Sequence, residues 1–169
     1  MEKILDVAQY IFDKYKAVTG CVVNEMKLHK LLYFSQRESF AITGNPLFEG
    51  DLQGWKFGPA SPQVRLYYSN ECGILVETNA VADETAYILN NVILEYGALA
   101  TWKLSALSHK EISWINARKG LAPHQNGTKN LRLEDIRDDA KKVRPYDHVW
   151  DMYYDEFDDL DKEETNQLA

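Results

Sequence analysis

The chain has 169 residues, 45% of them apolar and 27% charged, with a formal net charge of −7. A chain of this length supports one domain whose core needs no disulfide or metal staple, and this composition excludes general disorder. No apolar run approaches the roughly 18 residues that a membrane-spanning helix needs, and acidic Glu2 and Asp6 stand where a signal peptide would be basic. Cys21 and Cys72 are far apart and form no C-x-x-C pair, so the chain reads as reduced and cytoplasmic. Its acids are unevenly spread: nine fall between 147 and 164, where Lys162 is the single base. The body before them is near neutral. A neutral body with an acidic end is a poor match for nucleic acid, which recruits basic faces.

Ile4, Leu5, Ala8, Phe12 and Tyr15 recur at helical spacing and predict a first helix over 2–16, with Gly20 as its stop. Asn24 is the expected cap of a second helix that buries Leu28, Leu31, Leu32, Ser35 and Ile42 and ends at Gly44. Residues 52–57 read as a short extended piece. Gly58-Pro59 turns the chain, and Ser61-Pro62 opens a short helix to about Tyr68, with proline at the first helical position. Residues 70–82 read as a loop with a brief strand at 74–76. Asp83 is the expected cap of a helix through Tyr96, and Thr101 of another to Leu107. Ser108-His109-Lys110-Glu111 has the S-x-x-E form of a capping box and opens a helix with Ile112, Trp114 and Ile115. A last body helix is expected over 133–143, with Pro145 beyond it. The fold class is mainly α: one compact domain of six or seven helices over 1–144, with at most a small β element.

Candidate chemistry is sparse. His29, His109, His124 and His148 do not combine with one another or with cysteine at zinc-binding spacings, so no metal is expected. His29 is expected at the surface or partly buried, and His109 as a neutral structural histidine at a helix start. Glu134-Asp135 and Asp138-Asp139 read as a solvated helix face. No nucleophile elbow, phosphate loop or dinucleotide fingerprint is present, so neither catalysis nor a cofactor is expected. An enzyme would require the fold to bring His109 or His124 beside Cys72 or a carboxylate. The densest signal is 54–62, Gly-Trp-Lys-Phe-Gly-Pro-Ala-Ser-Pro, where glycine and proline fix a rigid corner. There Trp55 and Phe57 are held to wedge into the core, or the corner is a pre-organised surface with Trp55 or Lys56 touching a partner.

Three stretches together resemble the Panacea domain of SocA-like antitoxins and GepA-like phage-associated proteins. They are Leu28-His29-Lys30-Leu31-Leu32-Tyr33-Phe34, then Gly44-Asn45-Pro46-Leu47-Phe48, then Trp55-Lys56-Phe57-Gly58-Pro59 with Pro62. Tyr96-Gly97, Leu107 to Glu111 and Trp114 follow in the family's order. The resemblance implies a mostly helical antitoxin that neutralises a cognate protein toxin by direct binding. One branch of the family delivers its toxin to a Clp-type protease. The resemblance also implies that Leu28, Lys30, Leu31, Tyr33, Gly58, Pro59, Pro62, His109, Glu111 and Trp114 are mainly structural. Ala60 departs from the usual valine and His29 from the usual glutamine. No added DNA-binding domain accompanies the motifs, so specific DNA binding is not expected, and no membrane partner is implied.

Residues 145–169 lie outside the resemblance. Tyr146, Trp150, Tyr153, Phe157 and Leu160 recur at steps of four and three, the apolar stripe of an amphipathic acidic helix. A lone helix of about 16 residues is marginal in water, so the stripe needs a surface, either its own body or a toxin. An acidic inhibitor that mimics nucleic acid is the other reading of so charged a segment. Deleting 146–169 is expected to leave a folded chain with a cooperative melting transition and to weaken partner binding. Trp150→Ala separates the two docking choices. A faster dissociation rate with an unchanged melting temperature marks a partner contact, and a lowered melting temperature alone marks a core contact.

Overall fold

The computed structural model describes residues 1–144. The acidic helix expected over 145–169, with Tyr146, Trp150, Tyr153 and Phe157, lies outside the described residues. The chain is mainly α. Its helices are α1 (Ile4–Thr19), α2 (Glu25–Thr43), α3 (Pro62–Tyr67), α4 (Asp83–Tyr96), α5 (Thr101–Ser108), α6 (Ile112–Ala117) and α7 (Leu133–Ala140). Three two-stranded pairs join them. β1 (Glu2–Lys3) runs parallel to β2 (Phe48–Glu49), β3 (Gln53–Trp55) pairs antiparallel with β4 (Gly58–Ala60), and β5 (Tyr68–Ser69) with β6 (Gly73–Ile74).

α2 is the axis of the molecule. Asn24 Oδ1 accepts the Lys27 N–H at 2.8 Å and starts the helix as expected. Gly44, at φ +75°, ends it in the left-handed conformation. Between them every residue from Lys27 to Phe40 is buried, because α1, α4, α5, α7 and β4 pack around it. Leu28, Leu31, Leu32, Tyr33 and Phe34 sit at the centre with Ile11, Phe12, Leu89, Val92 and Leu104. Phe34 stacks on Tyr96 of α4, ring centroids 4.3 Å apart. Ile42, expected in the buried stripe, is only half-buried at the end of the helix.

The polar residues of α2 reach partners on the surrounding elements. Tyr33 Oη lies 2.9 Å from both Glu111 Oε2 and Asp139 Oδ2. Arg37 donates to Glu111 Oε1, Glu38 Oε1 and Tyr96 Oη, and Lys142 joins on Glu111. This cluster ties α2, α4, α6 and α7 together. Burial raises the Glu38 pKa, and the Arg37 charge opposes that rise.

Several local expectations are corrected here. The Ser108–Glu111 capping box does not form. Glu111 occupies the N-cap position of α6 without a side-chain cap bond, because its carboxylate is drawn into the Tyr33–Arg37 cluster. Asp139 of α7 replaces it, accepting the Ile112 N–H at 2.7 Å and the Ser113 N–H at 3.1 Å. Only half of the acidic run in α7 is solvated: Glu134 and Asp138 are exposed, whereas Asp135 and Asp139 are buried. His29 is wholly buried rather than superficial. The extended piece over 52–57 is one arm of the β3–β4 hairpin, and the later strand covers 73–74, with Leu75 and Val76 exposed. Asp83 and Thr101 are the first helical residues, preceded by Ala82 and Ala100 at the cap positions. Ile112 and Ile115 point largely to solvent.

Asp139→Ala removes two backbone caps and one acceptor of a buried phenol. It is expected to destabilise the fold by about 3 kcal/mol or more. Asp138→Ala, which loses only a surface pair with Lys141, is expected to cost under about 0.5 kcal/mol. Urea midpoints of the two variants check this contrast.

Candidate functional site

The rigid corner is a hairpin laid against α2. Trp55 pairs with Gly58 across the two-residue turn Lys56-Phe57. Among the described residues only glycines have positive φ, so the reversal falls to Gly58 at φ +115°. A side chain at Gly58 is excluded by space as well. A Cβ there would lie 2.4 Å from Ser108 Oγ and 2.7 Å from Lys30 Cε. The glycine therefore lets the stem of Lys30 and the end of α5 close on the turn.

Lys30 is wholly buried, and its ammonium donates to Pro59 O at 3.0 Å. Burial pulls its pKa down from 10.5 to about 7. The neighbouring His29 accepts the Ser61 N–H on Nδ1 at 3.1 Å, which places the proton of the neutral ring on Nε2. That Nε2 lies 3.8 Å from Glu25 Oε2. Burial lowers the His29 pKa against the pull of Glu25. Ser61 Oγ accepts the Val64 N–H at 3.1 Å and Pro62 takes the first position of α3, as expected.

The two aromatics of the hairpin do not enter the core. Trp55 is half-buried between the His29 ring, 5.4 Å away, and the Arg65 guanidinium, 5.2 Å from its ring centre. Phe57 is 55% exposed at the turn, with the Lys56 ammonium 5.1 Å from its ring. Behind the hairpin Trp114 Nε1 donates to Trp55 O at 2.8 Å. His109 stacks on the Trp114 indole at 4.1 Å and 10°. It follows α5 rather than opening a helix, and burial, then the Lys30 charge, lowers its pKa. Arg118 donates to Gly54 O, Ala122 O and Gln125 O, binding the 122–127 loop to the hairpin. Lys56 N donates to Asn126 Oδ1 at 3.1 Å.

Of the structural motif residues, Leu28, Lys30, Leu31, Tyr33, Gly58, Pro59 and Glu111 are buried, and Pro62, His109 and Trp114 partly so. Arg65, Arg118 and Asn126 were not singled out in the sequence. They reach the hairpin from α3, from the end of α6 and from a turn-rich loop, and no local pattern marks them. Among the described residues no group of three or more His, Cys, Asp or Glu side chains is placed to hold a metal, and no helix is long and apolar enough to cross a membrane.

Most of α2 and the whole of the hairpin fall within residues 28–115, which match the family described as antitoxin SocA-like, Panacea domain. The chain belongs to this family of SocA-like Panacea-domain antitoxins. Antitoxin SocA of Caulobacter vibrioides (strain NA1000 / CB15N) is 32% identical over 87 residues, covering 52% of this chain and 39% of that relative. The chain thus matches well under half the length of the curated relative. No solved structure matches it. The Panacea segment runs from α2 to α6 and contains the whole of the hairpin, so the family's shared part is the frame around Lys30 and Trp55.

The buried Lys30 has a pH signature. The unfolded chain keeps its lysine proton up to about pH 10, whereas the folded chain releases it near pH 7. Between those values the unfolded state binds more protons, so this group makes stability rise with pH. Below pH 7 both states are charged and the burial penalty is fully present. Relative to Lys30→Met, the wild type is expected to gain stability from pH 7 to 9 by at most about 1.4 kcal/mol per pH unit. Urea denaturation of both chains across that range checks the sign.

Proposed function

We propose that this chain neutralises a protein toxin by binding it directly, with no catalytic step of its own. Family membership supports the antitoxin role. The observation that carries direct binding is the hairpin. Phe57 is held exposed on a turn whose backbone is fixed by Gly58, Pro59, Arg118 and Asn126. An aromatic already ordered in the free protein loses little entropy on contact, which is how interface anchors work. The histidines and cysteines support a non-enzymatic reading. His109 is stacked against Trp114, while Cys72 lies in the β5–β6 turn, its carbonyl accepting from Gln9 of α1.

The test is co-expression with the product of the adjacent gene. Growth arrest by that product is expected to be relieved by this chain, and the two purified proteins are expected to form a complex with a Kd below about 1 μM without protease or ATP. Rescue that requires a Clp protease and ATP, with no stable two-component inhibition, would replace the inhibitor reading with that of a delivery adaptor. Phe57→Ala is expected to weaken the complex about tenfold or more while leaving the melting temperature unchanged.

A further inference from the structure

A cavity of about 270 Å³ opens between α2, the hairpin, α3 and the 122–127 loop, with Lys30, Trp55, Lys56, Phe57, Arg65 and Asn126 among its walls. Three cations line it and no carboxylate does. Elsewhere in α2, Arg37 has Glu38 and Glu111 within 3.2 Å, and the buried Lys27 ammonium has two neutral acceptors, Tyr15 Oη and Gly97 O. Lys30 is different. Its buried ammonium carries three donors and has one acceptor among the described residues, Pro59 O. Arg65 and Lys56 lie over the Trp55 and Phe57 rings, and neither has a carboxylate within 4 Å among the described residues; the Glu25 carboxyl, whose pKa is lowered first by its bond to His29, also feels the Arg65 charge.

A cluster of three cations against two aromatic walls calls for an anion. The backbone narrows the kind. Phosphate sites are usually built on a cradle of backbone N–H groups. Here the Lys56 N–H is taken by Asn126, the Ser61 N–H by His29, and Pro59 has none. The charge that lines the cavity is carried by side chains beside apolar surface, with an arginine fork suited to a carboxylate. The volume is below the range of drug-sized ligand pockets, about 300–1,000 Å³, and suits an amino-acid side chain.

We propose that this cavity receives a carboxylate of the bound protein partner, an aspartate or glutamate side chain or a chain terminus, held by Lys30, Lys56 and Arg65 against Trp55 and Phe57. This rests on the partner-binding reading above and adds the chemistry of one contact. The carboxylate supplies the acceptor that the fold withholds from Lys30, so toxin binding and relief of a buried charge become one event.

The probe is N-acetyl-glutamate N-methylamide, titrated into the full chain and followed by NMR at the Trp55 indole N–H and the Asn126 side-chain amide. The glutamine analogue and inorganic phosphate are run in parallel. Saturable shifts at both groups are expected from the glutamate compound, with the glutamine analogue at least about tenfold weaker. Arg65→Ala is expected to weaken binding about tenfold with an unchanged melting temperature, since Arg65 is exposed. Lys30→Met, checked for a native spectrum, is expected to abolish it. Equal binding of the glutamine analogue, tighter binding of phosphate, or unaltered binding by Arg65→Ala overturns the proposal. Full neutralisation by variants that no longer bind the glutamate compound also overturns it, and leaves the antitoxin reading standing. Glutamate binding by a chain that neutralises no toxin overturns that reading and leaves the carboxylate site.

Discussion

Burying α2 on every side is the constraint from which the rest of the structure follows. A helix with fourteen consecutive buried residues satisfies its own backbone but has no solvated face for its polar side chains. Lys27, His29, Lys30, Gln36, Arg37, Glu38 and Ser39 must therefore be met by other elements, since an unmatched buried polar group costs more than a hydrogen bond gains. Each of these needs places a segment. Gln36 takes the Leu47 and Phe48 N–H groups and so seats β2. Lys27 reaches Gly97 O at the end of α4, and Ser39 reaches Asn45 O in the following turn. His29 and Lys30 bind the two ends of the β4 corner through Ser61 and Pro59. The hairpin is held where it is because α2 has donors and acceptors beneath it.

The Tyr33–Arg37–Glu111–Asp139 cluster applies the same logic to the helices. Breaking a buried ionic network by removing one partner is far costlier than never having built it. The cluster therefore makes α2, α4, α6 and α7 answer to one another, so that a shift of one helix leaves charges stranded on the rest. Specific pairing of this kind selects one packing among several that would bury similar apolar area.

Helix existence was legible in the sequence because the cues were local. Asn24, the Ser61-Pro62 pair and the glycines after α1 and α2 act within a few residues of themselves. The failures share one cause, which is that long-range demand overrode local chemistry. Ser108 to Glu111 has the spelling of a capping box, but Glu111 is needed 74 residues away by Arg37. Asp139 reads as surface charge until α7 packs and turns it inward. His29 reads as a surface or partly buried residue of an amphipathic helix, and periodicity cannot reveal that its face will be covered by a hairpin. At the site, Trp55 and Lys56 were visible as a dense motif. Arg65, Arg118 and Asn126 converge on them from separate elements and leave no trace in spacing.

The cap that Asp139 lends to α6 makes an earlier helix depend on a later one. Chains emerge from the ribosome N-terminus first, and a domain generally folds as a unit. Here the acceptor for the first N–H groups of α6 lies 27 residues downstream, and the same carboxylate lies against Tyr33 across 106 residues. The centre of the molecule is therefore closed by α7, the last of the described helices. A chain stalled or clipped before Asp139 keeps its family motifs intact yet leaves α6 uncapped and the Tyr33 cluster without one of its two carboxylates.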